Sequence, residues 1–222
     1  MKGFTAREGS AVAELDDEER MVIARIVADV GLLLGGEQFG MDAPVDRDAG
    51  LDDADEILRH LRGLAEALAE PDDPAVLRLL PSASREDREI ADEFRRLTES
   101  DLRDLKVERL RTMWEQLSED GPEWEVASGD AMSTAAALTD LRLVLGSRLR
   151  LDSDEDAERL HTEIDLATHA LETDDDETLP VDPERVWLGM LYQALTWLQE
   201  SLVQYAIGAG DGADDGPEGA DV

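Results

Sequence analysis

One helical stripe in this chain carries the residue types that a metal site needs. Glu158-Arg-Leu-His161 is an E-x-x-H, and Asp165 and His169 continue it at i+4 and i+8 from the first histidine. At 3.6 residues per turn, Glu158, His161, Asp165 and His169 fall along one side of a helix, so oxygen and nitrogen donors for a divalent metal stand in a row. Di-metal helical bundles use such a motif twice, with two further glutamates on facing helices. Here the other available histidine, His60, follows Glu56 by four residues rather than three. A chain with 55 acidic residues also produces an E-x-x-H by chance. The competing reading is a solvated helix face.

Other chemistry is easier to set aside. Cysteine is absent, which removes disulfides, thiolate metal sites, iron–sulfur clusters and thiol catalysis. The sequence holds no G-x-S-x-G, no P-loop, no G-x-G-x-x-G and no H-E-x-x-H. No catalytic residue and no cofactor is expected.

Arginine clustering is the second feature. Residues 85–111 hold eight of the 21 basic residues, Arg88, Arg95, Arg96 and Arg103 among them, against nine acids, a net charge of −1. The whole chain carries −34, and residues 151–222 alone hold 20 acids against two bases. On one reading the arginines pair with acids on their own and neighbouring helices, each pair contributing a few tenths of a kcal/mol. On the other they form a docking face with Arg142 and Arg148, since arginine is favoured at interfaces. A field as negative as this one repels phosphate backbones and anionic bilayers, so direct nucleic-acid binding is not expected.

The elements that must position these residues read as helices. An apolar face on Met21, Val22, Ile23, Ile26, Val27 and Val30 begins behind Asp16 and ends at Gly35-Gly36. Further helical patterns cover about 53–69, 85–97, 99–118, 131–148 and 154–172. Ser84/Asp87, Thr98/Asp101 and Ser153/Asp156 have capping-box spacing, and the Thr98 box places a break between two helices. Residues 3–15 predict a short β-hairpin or arm around Glu8-Gly9-Ser10, and 119–129 a loop whose Trp124 folds back onto the core. Val186–Ile207 is apolar nearly all round, with the single charge Glu200, and Gly208 and Gly210 predict its stop. A membrane span would leave Gln193, Gln199, Glu200 and Gln204 facing hydrocarbon with no basic flanks, so burial is the expectation, with Trp187, Trp197 and Leu198 in the core.

The fold class that follows is all-α: a single-domain bundle of about six to seven helices over 1–207, closed around the hydrophobic C-terminal helix. A disordered acidic, Gly-rich tail is expected over 208–222. The first twenty residues lack an apolar signal region, so a cytoplasmic protein is expected.

Three segments together, EFRRLTESDLR (93–103), TDLRLVLGSRLRL (139–151) and LTWLQESLV (195–203), resemble the actinobacterial oxidative stress regulator family of small helical proteins. The N-terminal REGS…L…DDEE…I approach is similar too. The resemblance implies a regulator of the response to oxidants that acts on transcription through a protein partner such as a stress sigma factor. It also implies redox sensing by a cysteine pair, which this chain lacks. The expected function is therefore a non-enzymatic regulatory or adaptor protein that works through protein contacts and without a cysteine switch. The alternatives are the metal-binding bundle centred on Glu158 and His161, and a structural homo-oligomer such as a homodimer.

Overall fold

The computed structural model describes residues 1–36, 73–81, 87–173 and 182–213, with 88–96, 171–173 and 210–213 described in backbone only. The helix expected over 53–69 and the Ser84 capping box lie outside the described residues. The rest is helical, with one small sheet.

The chain opens on a hairpin, β1 (Lys2–Arg7) and β2 (Ser10–Glu14), paired antiparallel. Its two-residue turn needs φ > 0 twice, and Glu8 (51°) and Gly9 (91°) supply it. A third strand, β3 (Glu123–Ala127), adds to β2 with Ala13 opposite Trp124 and Ala11 opposite Val126. This corrects the loop expected over 119–129, although Trp124 is fully buried as predicted. The alternation Glu-Trp-Glu-Val-Ala is too short to announce a strand alone; β2, more than a hundred residues upstream, provides the hydrogen bonds that make it one.

Helix α1 (Asp17–Leu33) starts in a complete capping box: the Asp16 carboxylate accepts from Glu19 N at 2.8 Å, and the Glu19 carboxylate accepts from Asp16 N at 3.0 Å. A short α2 (Pro74–Leu79) follows, capped by Asp73 with proline in its first turn. Helix α3 (Arg88–Leu117) runs unbroken for 30 residues, so the expected division at Thr98 does not occur. Thr98-x-x-Asp101 has the spacing of a cap, but nothing there breaks the helix: Leu97, Glu99, Leu102 and Arg103 are good helix formers, and neither glycine nor proline intervenes.

The centre of the molecule is α4 (Ala131–Arg148). Ten of its eighteen residues are buried, and it packs on α1, α2, α3 and β3, and on the C-terminal helix described next. Ala131, Ala135, Ala137 and Gly146 give it small sides on which neighbours close in. Helix α5 (Asp154–Thr173) follows, with the predicted Ser153/Asp156 capping box formed: Asp156 N donates to Ser153 Oγ (3.2 Å) and Ser153 N to Asp156 Oδ2 (2.9 Å).

The last helix, α6 (Pro183–Ala213), is the apolar stretch, but not the axis of the bundle. It buries Val186, Leu188, Leu191, Leu195, Leu198 and Leu202, and it leaves Trp197 46% and Met190 52% exposed. The expectation that Trp197 is core is thereby corrected. Helix α4 already occupies the centre, so α6 has neighbours on only part of its circumference. It also continues past Gly208 and Gly210, where a stop and the start of the tail were expected. Glycine lowers helix propensity by about 1 kcal/mol without forbidding the helix.

Candidate functional site

Three of the six arginines expected to dock a partner, Arg103, Arg142 and Arg148, are engaged inside the molecule. Arg148, on the last turn of α4, makes a bidentate pair with Asp73 at 2.9 and 2.8 Å. The side chains are 15% and 1% exposed, and Asp73 simultaneously accepts from Ala75 N at 2.9 Å. Burial opposes ionisation of Asp73, but the hydrogen bonds from Arg148 and Ala75 N outweigh it and hold the carboxyl below the usual range. Asp73→Ala removes a helix cap and leaves a half-buried guanidinium without its counter-ion. We expect it to cost about 3 kcal/mol in urea denaturation, with Asp73→Asn, which keeps the cap, costing less.

Arg103 donates to the Leu34 carbonyl at 2.9 Å, where α1 ends, and to Glu99 at 2.8 Å. Among the described residues Arg142 has only neutral partners. It donates to Gln199 Oε1 at 2.5 Å and to the Tyr192 hydroxyl at 3.4 Å, and lies 5.3 Å from the centre of the Tyr192 ring. Gln199 in turn donates to the Ala135 carbonyl and to Thr139, so this cluster fixes α6 against α4. Arg88, Arg95 and Arg96 belong to the opening of α3, whose side chains lie outside the described residues.

The candidate metal ligands do share one exposed side of α5, as the spacing predicts, but they do not converge. Glu158, His161, Asp165 and His169 are all exposed. His161 Nδ1 is 2.8 Å from Gln193 Nε2, and its Nε2 is 3.9 Å from Asp165 Oδ2. Among the described residues no group of three or more His, Asp or Glu is arranged to hold a metal ion. His60, on which a second histidine-bearing helix would depend, lies outside the described residues.

Two polar centres escaped the sequence reading. Arg20, buried in α1, donates to the carbonyls of Gln116 (3.3 Å), Leu117 (3.3 Å) and Glu119 (3.2 Å), and to that of Glu123 at 2.6 Å. A cation thus closes the C-terminal end of α3 and ties it to β3. Lys106 of α3 meets Asp140 of α4 at 2.5 Å, with the aspartate 3% exposed. Neither has a local signal, because each joins groups far apart in sequence.

Comparison with protein-family models matches residues 1–206 to a family described as a domain of unknown function, DUF2017. The chain belongs to this family. No curated protein and no solved structure matches the chain. The DUF2017 match takes in the three-stranded sheet, the α4 hub and most of α6, so the domain is this whole arrangement rather than any one segment. No helix described in this DUF2017 chain is long and apolar enough to cross a membrane.

Proposed function

We propose that the protein is a non-enzymatic cytoplasmic regulator or adaptor that acts through protein contacts. The observation that carries this reading is α6: the most apolar of the described helices keeps Trp197 and Met190 at the surface, in a molecule with 34% charged residues. Large apolar side chains grouped at the surface are a feature of protein contact faces, and this pair on one helix supports that reading. The likeness of the 93–103, 139–151 and 195–203 segments to the oxidative stress regulator family supports a role in stress-linked transcription, with a stress sigma factor as partner. With no cysteine in the chain, the contact is constitutive or gated by a ligand rather than by a thiol. The Arg95–Arg96 pair at the opening of α3 remains part of the proposed docking face.

Photo-crosslinking in the native host, read by mass spectrometry, tests the reading. A transcription protein captured by the wild type and lost from Arg95→Glu/Arg96→Glu supports it. Recovery of the chain alone, or a partner retained in full by the charge-reversed variant, counts against the adaptor and against the arginine face respectively.

A further inference from the structure

The surface of α6 next to α5 combines two properties that specify what would cover it. Met190 and Trp197 are seven residues apart, two helical turns on one side of α6, or about 10 Å. Gln193 lies between them and reaches His161 of α5 at 2.8 Å, so the exposed stripes of the two helices are continuous. Trp197 does not wave in solvent. A Cβ added at Gly3 would sit 3.0 Å from its Cζ2, so the edge of the indole rests on the β1 backbone while its remaining surface stays open. A large aromatic already fixed in place loses little entropy on binding, which is the character of an interface anchor.

On α5 and α6 themselves the charged side chains are mostly acidic, while the flanking elements bring Lys2, paired with Glu14, and Arg142. The bases of residues 151–222 are Arg159 and Arg185. Arg159 is paired with Asp156, while Arg185 is paired with Glu163 at 2.7 Å and donates to the Leu149 carbonyl. Glu158 and Asp165 on α5 and Glu200 on α6 are exposed, and none of them meets a Lys or Arg among the described residues. Apolar anchors at i and i+7 beside uncompensated carboxylates match a helix with one apolar face and a basic rim. We infer that this α5–α6 surface docks a basic amphipathic helix of a partner protein, a proposal that rests on the adaptor reading and gives its partner a chemistry. A second copy of the chain fits less well, because a two-fold contact would set this acidic rim against itself.

The probe is a designed amphipathic Leu/Lys helix, with a Lys/Ser peptide of equal charge as control, titrated at low salt and followed by amide chemical shifts of the full chain. The Leu/Lys peptide is expected to shift α5 and α6 resonances. Its affinity is expected to fall about tenfold or more in Trp197→Ala and by a similar factor in the surface variant Glu158→Lys/Asp165→Lys, which leaves the core untouched. Equal binding of the two peptides, or unchanged affinity in both variants, would overturn the proposal. So would a wild-type dimer in light scattering that Trp197→Glu converts to monomer, since the occupant would then be a second copy. The two readings fail separately. A native partner that crosslinks equally to Trp197→Ala leaves the adaptor and removes this surface, whereas peptide binding with no cellular partner leaves the surface and removes the adaptor.

Discussion

Trp124→Ala is expected to lower the stability of the protein by about 4 kcal/mol, the usual range for deleting a buried indole. Trp124 is fully buried, and the Phe4 ring meets it edge-on with centroids 5.0 Å apart and planes at 63°. Its Nε1 donates to Gln116 Oε1 at 3.1 Å, linking β3 to the last turns of α3. The side chain therefore bridges the sheet and the bundle, and its loss opens a cavity where β1, β3 and α3 meet. Trp124→Phe keeps most of the volume and should cost only about 1–2 kcal/mol, mainly for the unpartnered Gln116. A double-mutant cycle with Phe4→Leu should return a coupling of about 1 kcal/mol. Urea denaturation of the wild type, the three single variants and the double variant measures all of this. A near-neutral Trp124→Ala would mean that the sheet does not contribute to the core.

Lys106→Met is expected to be comparably damaging at neutral pH and much less so in acid. Lys106 Nζ lies 2.5 Å from Asp140 Oδ1, and Asp140 Oδ2 is buried without a hydrogen-bond partner among the described residues. Burial pushes the Asp140 carboxyl above the usual carboxylate range, and Lys106, with a weaker contribution from Arg109, only partly pulls it back. Removing the ammonium strands a buried carboxylate, at a cost of about 3–5 kcal/mol. The sign of the pH dependence follows from the raised pKa. The folded state holds this proton to higher pH than the unfolded chain does. The carboxylate's cost is thus absent below the unfolded pKa and grows as pH rises through the folded one. The deficit of Lys106→Met relative to wild type should therefore shrink as pH falls. Lys106→Met/Asp140→Leu, which removes both charges, should recover most of the stability at neutral pH. A deficit independent of pH would show that lost packing of the lysine stem, rather than the stranded charge, is responsible.

The pair also shows why parts of this protein can be read from sequence and others cannot. Asp140 stands in TDLRLVLGSRLRL as one acid among 55. Nothing local distinguishes it from Asp156, which caps a helix in plain view of solvent. The two ends of α1, the Ser153 cap and the Gly9 turn were legible because each depends on residues within four positions of one another. Strand β3, the Arg20 clamp and the Asp73–Arg148 pair were not, since their partners lie roughly seventy to more than a hundred residues away. Of the candidate sites, the α5 stripe was legible in its spacing, and its exposure matches the solvated-face reading. Of the arginines singled out, Arg103 and Arg148 bind the fold itself.

By itself, then, the sequence determined the helical class, the N-terminal hairpin, the exclusion of thiol chemistry and an acidic field. All of these follow from composition or from short-range periodicity. Only the tertiary structure decided which helix is central. Val186–Ile207 and Ala131–Arg148 are both rich in apolar residues, and period alone cannot rank them. The smaller side chains of α4 admit neighbours on more of its sides, so it takes the middle and displaces α6 to the flank. That displacement leaves Trp197 and Met190 at the surface beside the acids of α5, and turns a core element into the face on which a partner is proposed to dock.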